Sequence, residues 1–330
     1  MTEIRLGTIG SNFIVHNILK NVDRTEGIRL VAAYSRTLEK AQALAAQYGA
    51  TKAYTDMDAF LADEEVNFVY IATPNLLHYP QAKKALLAGK NVILEKPFTT
   101  KLEHAQELVQ IAKERDLILI DAVPTAFLPN LRLLKEHLPK LGTLKLVMGN
   151  YSQYSSRYDD VLAGGKPNIF NPEFAGGCLM DINFYNVYLN VALFGAPQDA
   201  VYYPNLRPGL CDTSGTMMLR YDGFLSSAIG AKDASGINFF QIEGEKGYIY
   251  VENGPNGIQS VRVVTKDGDV TYNEQPDPDR WYYEVQEITR LVLADDRQAF
   301  RDRLETMLQV IGTIETSRKK AGIFFPGDDI

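Results

Sequence analysis

The chain predicts an α/β protein in two parts, a doubly wound parallel sheet with helices on both faces over residues 1–122 and a second domain over 123–330 built on a mostly antiparallel sheet. Three observations predict this. Short β-rich runs alternate strictly with helical patterns through the first third. A glycine-bearing turn, Gly7-Thr8-Ile9-Gly10, joins the first strand to the first helix. Beyond about residue 143 the pattern changes to successive strands with Gly, Asn and Asp at their turns.

In the first part, Ile4–Ile9 reads as a strand, Phe13–Val22 as a helix, Ile28–Tyr34 as a strand and Leu38–Tyr48 as a helix. Ala53-Tyr54 is a short extended piece and Met57–Leu61 a helix. Asn67–Ala72 reads as a strand, Tyr79–Ala88 as a helix, Asn91–Leu94 as a strand, His104–Arg115 as a helix and Leu117–Asp121 as a strand. Strict alternation implies parallel strands joined by right-handed crossovers. In the second part a helix over about Asn130–Leu138 precedes a strand over Thr143–Tyr154, where Leu144, Leu146 and Met148 alternate as in a half-buried strand. A loop rich in Gly, Pro and Asn follows over Ala163–Asn171, then a long apolar helix over about Cys178–Leu193. Strands are expected at Ala200–Tyr203, Thr213–Tyr221, Leu225–Ala231, Phe239–Glu243, Gly247–Glu252 and Gln259–Thr265, and closing helices at Tyr282–Ala294 and Phe300–Lys320.

Composition narrows the function classes. The 330 residues suffice for two cores, and 45% hydrophobic with 23% charged residues is ordinary for a globular protein. A net charge of -7 with no basic run disfavours nucleic acid and anionic membrane as partners. No apolar stretch is long enough for a membrane span and no signal-like start is seen, so a cytoplasmic location is expected. Cys178 and Cys211 make no disulfide framework, in keeping with a reducing compartment. His16, His78, His104 and His137 lack partners at metal-ligand spacing, so no metal site is expected.

The turn Gly7-x-x-Gly10 with Ser11, Asn12, Phe13 and Ile14 is a candidate pyrophosphate site, because a strand-to-helix turn presents backbone N–H groups at a helix start. Asn12 and Val15 stand where the second and third glycines of the usual fingerprint would be. Asn12 tolerates the left-handed conformation, so the turn can survive. After the second strand, Ser35 and Arg36 replace the acid that an NAD site places near the ribose 2′-hydroxyl, and Lys40 lies one helical turn on. These groups suit a 2′-phosphate and favour NADP(H) over NAD(H), although Arg36 also reads as a solvated surface charge. Thr73, Pro74, Asn75 and His78 mark a third strand tip on the same edge. Glu95-Lys96-Pro97 ends the run Asn91–Leu94, and a lysine held at a strand tip beside a nicotinamide is a candidate catalytic group.

Gly176-Gly177-Cys178-Leu179-Met180-Asp181 opens the long helix of the second part, and Tyr185 follows Asp181 by four residues, a spacing that places both on one helical face. A plain alternative is an acid near a helix start and an aromatic core residue. Hydride transfer to or from a carbon bearing oxygen needs a proton-transfer group, and a tyrosine serves if a nearby cation such as Lys96 lowers its pKa. The loop Tyr154–Phe174, with Arg157, Tyr158 and Asn168, is either a substrate-contacting segment or an exposed connection.

Taken together, Gly7-x-x-Gly10, Thr73-Pro74-Asn75-x-x-His78, Gly89-Lys90-x-Val92 before Glu95-Lys96-Pro97, and Gly176-Gly177-x-Leu179-Met180-Asp181 ending in Tyr185 resemble the Gfo/Idh/MocA oxidoreductases over nearly the whole chain. The resemblance implies an N-terminal Rossmann domain and a C-terminal α+β domain whose large open sheet often forms the interface of a homodimer or homotetramer. It implies that Lys96 sits beside nicotinamide and substrate, that Asp181 is the family aspartate, and that Tyr185 holds the acid/base position, as in the glucose-fructose oxidoreductase and dimeric dihydrodiol dehydrogenase branches. Asn12 departs from the commoner glycine and bears on the pyrophosphate turn. Asn183 stands where Gly is frequent and bears on the substrate pocket.

The expectation is an NADP(H)-preferring oxidoreductase acting on a sugar, polyol or related hydroxyl or carbonyl compound, with Lys96, Asp181 and Tyr185 at its centre. A nucleotide-sensing regulatory protein without turnover is the alternative from another class, and a tightly held nicotinamide shuttling hydride between two sugars uses the same residues.

Overall fold

The computed structural model describes residues 2–329, and the chain divides into two compact units. The first runs to Val123 and takes in Trp281–Leu308; the second comprises Pro124–Arg280 and the chain from Gln309 onward. No helix among the described residues is long and apolar enough to cross a membrane.

The first unit is built from β1 (Ile4–Ile9), α1 (Phe13–Val22), β2 (Ile28–Tyr34), α2 (Leu38–Gln47), β3 (Lys52–Tyr54), α3 (Met57–Ala62), β4 (Phe68–Ile71), α4 (Asn75–Leu87), β5 (Asn91–Glu95), α5 (Leu102–Glu114) and β6 (Leu119–Ala122). All six strands are parallel in the order β3-β2-β1-β4-β5-β6. The order reverses direction on either side of β1, so the carboxyl ends of β1 and β4 border the crevice where such sheets bind ligands. β4 and β5 are buried throughout, the continuous apolar run of a strand covered on both faces. Helix α4 starts at Asn75, four residues before the expected Tyr79. Pro74 occupies its N-cap and Pro80 lies inside it, so two prolines disguised its first turn.

The second unit contains α6 (Pro129–His137), β7 (Leu144–Ser152), α7 (Tyr158–Leu162), α8 (Cys178–Asp181), α9 (Asn183–Phe194), β8 (Asp199–Leu206), β9 (Asp212–Arg220), β10 (Leu225–Ala231), β11 (Phe239–Gly244), β12 (Gly247–Glu252), α10 (Gly254–Gly257), β13 (Ser260–Thr265) and β14 (Gly268–Tyr272). Its eight strands run in the order β14-β13-β12-β11-β7-β10-β9-β8, antiparallel except for the β7–β10 pair. Alternate residues such as Val147, Met217, Leu219, Ala228, Phe240, Ile242 and Ile249 are buried, and α9 packs on β10 and β7. The opposite face carries exposed Leu146, Tyr203, Met218 and Leu225. β14 escaped the sequence pattern because it is an exposed polar edge strand, tied to β13 by Arg262 and Asp269.

Two expectations need correction. The closing helices α11 (Arg280–Leu293) and α12 (Arg297–Lys320) do not belong wholly to a 123–330 domain. α11 buries Val285, Ile288, Leu291 and Val292, and the Arg24 guanidinium lies 4.3 Å from the Tyr282 ring centre, which binds this helix to the first unit. The expected helix over Cys178–Leu193 is two helices, α8 and α9, interrupted at Ile182.

Candidate active site

In the first unit, β1 ends on Gly10, whose φ is +117°, and a Cβ there would stand 2.4 Å from the Ala72 carbonyl oxygen. Only glycine fits that turn. Asn12 is extended (φ −86°, ψ 178°) rather than left-handed, and it caps α1. Its side-chain oxygen accepts from the N–H groups of Ile14 (3.0 Å) and Val15 (3.2 Å), while its amide donates to the Ala72 carbonyl at 3.1 Å. The asparagine therefore replaces backbone flexibility with a cap that links the first and fourth strand tips. Ser11 and Ile14 are partly exposed and Phe13 is exposed, leaving the helix start open to an anion.

At the end of β2, Ser35 is buried and its N–H donates to the Tyr54 carbonyl at 3.1 Å. Arg36 and Lys40 are exposed, and neither makes an ion pair or hydrogen bond among the described residues. Both cations are thus available to a phosphate. At the β4 tip, Thr73 donates its hydroxyl to Gln81 at 2.7 Å, Pro74 is exposed and Asn75 begins α4.

His78 is buried between two loops. It is 1% exposed, with Nδ1 2.8 Å from the Pro97 carbonyl and Nε2 2.9 Å from the Thr73 carbonyl. Burial holds its pKa below the ordinary value and the Lys96 charge adds to this, against the two carbonyls, which favour the imidazolium. A neutral ring donates from one nitrogen only, so one of the two contacts lacks a proton. Its place is between the loops after β4 and β5, where it ties them together. Glu95 is likewise buried, accepting from the Tyr70 hydroxyl at 2.7 Å and the Lys96 N–H at 3.1 Å, so it shapes the loop that presents Lys96. Lys96 itself is partly exposed at the strand tip, and the Lys96–Pro97 peptide is cis.

In the second unit, the Gly176-Gly177 pair has a steric cause. A Cβ on Gly176 would meet the Ile169 carbonyl oxygen at 2.5 Å, and one on Gly177 (φ +115°) would meet Asp212 Oδ1 at 2.2 Å. The backbone approaches Asp212 this closely because that carboxylate accepts from the Leu179 N–H at 2.7 Å at the start of α8 and from the Tyr202 hydroxyl at 2.6 Å. Burial pushes the Asp212 carboxyl up to about 6, opposed by these two bonds. Asp181 ends α8 with 28% of its side chain exposed and forms an ion pair with Lys232, whose side chain is only 5% exposed.

Tyr185 lies in the first turns of α9, 4% exposed, edge-on to Tyr151 and Phe184. Asn183 is fully buried: its amide donates to the Ala228 carbonyl at 3.1 Å and its oxygen accepts from Asn186 at 3.0 Å. It ties α9 to the sheet. The loop Tyr154–Phe174 is partly ordered. Tyr158, Val161 and Phe170 form a small buried cluster with Ile169 and Leu210, so Tyr158 is core, whereas Arg157 and Asn168 are exposed.

Sequence reasoning missed Lys232 and Asp212. Lys232 follows the end of β10 much as Lys96 follows the β5 core, but no motif surrounds it, and Asp212 looked like a turn residue before a strand.

A doubly wound parallel sheet with a glycine turn after its first strand is the architecture of a dinucleotide-binding domain, and comparison with known proteins gives its family. Residues 4–122 match the model of the oxidoreductase family with NAD-binding Rossmann fold, Gfo/Idh/MocA. The chain is 35% identical over 326 residues to scyllo-inositol 2-dehydrogenase (NADP(+)) IolU of Bacillus subtilis, covering 98% of this chain and 99% of that protein. It is 25% identical over 257 residues to trans-1,2-dihydrobenzene-1,2-diol dehydrogenase of Mus musculus, covering 76% and 74%. Among solved structures, KijD10, a 3-ketoreductase from Actinomadura kijaniata in complex with NADP and TDP-benzene, superposes with a TM-score of 0.84 at 21% identity over 96% of this chain and 97% of that one, a likeness of fold. The chain belongs to the Gfo/Idh/MocA family and is an NAD(P)-dependent oxidoreductase.

Proposed function

We propose that this enzyme oxidises a secondary hydroxyl of a cyclic polyol of the inositol type and prefers NADP+ to NAD+. The observation that carries the reading is the identity with an NADP+-dependent scyllo-inositol dehydrogenase along the full length of both chains. The cofactor preference is supported by exposed, unpaired Arg36 and Lys40 and by the lack of an acid after β2.

The residues suit the dinucleotide: Gly10, Ser11, Asn12, Phe13 and Ile14 would hold the pyrophosphate at the start of α1, and Arg36 and Lys40 the 2′-phosphate. Bound NADP+ supplies the hydride acceptor. Tyr185 takes the hydroxyl proton as general base, and Lys96 is the lysine of the family motif on the nicotinamide side. Asp181 accepts a hydrogen bond from a neighbouring substrate hydroxyl and so selects which carbon reacts. Thr73, Pro74 and Asn75 form a wall of the nicotinamide site, with His78 and Glu95 holding the loops in place. The exposed apolar face of the large sheet, with Leu146, Tyr203, Met218 and Leu225, is our candidate surface for a homodimer or homotetramer.

The test is an assay of purified protein with NADP+ and NAD+ against scyllo-inositol, myo-inositol, glucose and a trans-dihydrodiol. Turnover of an inositol with a higher kcat/KM for NADP+ is expected. Turnover of the dihydrodiol alone would overturn the substrate class, and equal efficiency with both nucleotides would overturn the cofactor preference.

A further inference from the structure

Lys232 is a buried cation beside Asp181. Its own N–H donates to the Thr213 carbonyl at 2.8 Å, and its carbonyl accepts from the Ser155 N–H at 2.9 Å. Its ammonium pairs with Asp181 and lies 5.9 Å from the centre of the Phe170 ring. The residue thus touches both ends of the Tyr154–Phe174 loop, and the side chain runs from there to the carboxylate.

Two other carboxylates lie near, and each has its own donors. Asp212 is held by the Leu179 N–H and the Tyr202 hydroxyl, and Asp233 by the hydroxyls of Thr213 at 2.6 Å and Ser214 at 3.1 Å. Asp181 is the carboxylate left to neutralise the ammonium, and it is also the one of the pair that reaches the surface. A buried charge with a single strong partner fixes that partner's orientation, because rotation of the carboxylate would strand the ammonium in a medium that solvates it poorly.

We infer that Lys232 is a positioning residue for the polyol: it fixes the Asp181 carboxylate and, through Ser155 and Phe170, registers the Tyr154–Phe174 loop against it. This rests on the role proposed above for Asp181. Lys232 itself touches no reacting atom. Its influence falls on how well a hydroxyl-bearing substrate is held, and nucleotide binding is left alone.

Steady-state kinetics with scyllo-inositol and NADP+ on the wild type, Asp181→Asn, Lys232→Met, Lys232→Arg and the Asp181→Asn/Lys232→Met double variant test this, with thermal unfolding recorded for each. Lys232→Met is expected to raise the KM for scyllo-inositol by on the order of ten- to a hundredfold, the span set by a charged hydrogen bond. The KM for NADP+ should stay unchanged, and Lys232→Arg should recover part of the loss.

The double variant removes both charges and so avoids an unpaired buried ion should Lys232→Met fold poorly. It is expected to be no worse than Asp181→Asn. A general folding defect would instead raise both KM values together and resist rescue by arginine, and that outcome overturns the inference. So does a normal polyol KM in Lys232→Met while Asp181→Asn is impaired. If Asp181→Asn is as active as the wild type, or the wild type turns over no inositol, the proposed function fails first and the inference with it.

Discussion

The two units solve the same problem, holding polar groups at the ends of strands, by different means. In the first unit Asn12 binds the backbone of Ile14, Val15 and Ala72, and His78 that of Thr73 and Pro97, beside side-chain pairs such as Tyr70 with Glu95 and Thr73 with Gln81. Its cations at the β2 end are exposed and unpaired among the described residues. In the second unit side chains bind one another in the interior, as in Lys232 with Asp181, Tyr202 with Asp212, and Asn186 with Asn183. The Asn12 cap on Ile14 and Val15 and the His78 contact with Thr73 lie within five residues, so this part of the first unit is written in short motifs. The Tyr202–Asp212 and Lys232–Asp181 pairs join residues 10 and 51 positions apart and leave no local pattern.

Four measurements would break or sharpen this contrast. The largest effect is expected in the second unit: Tyr185→Phe removes the proton acceptor and should lower kcat by roughly a hundred- to ten-thousandfold while leaving NADP+ affinity unchanged. A variant that keeps its kcat would remove the tyrosine from the chemistry.

The next comparison uses two buried aspartates, one in each unit. Asp121 lies in β6 with neither carboxyl oxygen hydrogen-bonded among the described residues, and burial pushes its pKa up to about 6 against the pull of Arg303. A raised folded pKa means that the group stabilises the fold fully below its unfolded pKa, near 4, and loses that contribution as the pH rises through about 6, a span worth roughly 3 kcal/mol. Asp121→Asn should therefore flatten the difference in stability between pH 4 and 7, read by denaturant unfolding at each pH. Asp212 has a similarly raised pKa, so Asp212→Asn should flatten the pH dependence likewise, but because the carboxyl also holds two donors the variant should in addition cost about 1 kcal/mol at both pH values. Equal behaviour of the two variants would show that the donors do not matter.

On the nucleotide edge, Arg36→Ala should raise the KM for NADP+ by about tenfold and leave that for NAD+ unchanged, the effect of one charged phosphate contact. An unaltered preference would sink the 2′-phosphate assignment. The smallest effect is expected from Asn12→Ala, which removes the α1 cap and should cost about 1 kcal/mol of stability. A loss near zero would mean that the link to Ala72, and not the cap, explains the residue.

Much of the fold was legible. β1, α1, β2, β10 and β12 have the bounds that the pattern predicts, because each combines a clean apolar period with a Gly, Asn or Asp boundary. α4 was shortened in the reading by its prolines, and β14 and α7 were missed because an exposed edge and a five-residue helix carry too little periodicity to stand out. Of the site, Gly10, Lys96, Asp181 and Tyr185 stood in recognisable motifs. His78 and Glu95 were found as motif members but not as the loop supports they are, since burial is decided by what packs over them.

The sequence by itself determined the alternation that makes a parallel sheet, the glycine turn at Gly10, the missing acid after β2 and the family motif ending in Tyr185, because each depends on neighbours within a few residues. Tertiary structure alone decided that α11 joins the first unit, that Gly177 is required by Asp212, and that Asp181 is paired with Lys232. Those depend on which distant side chains meet in the interior, where an unpaired charge or a methyl group in contact with a carboxylate is too costly to persist.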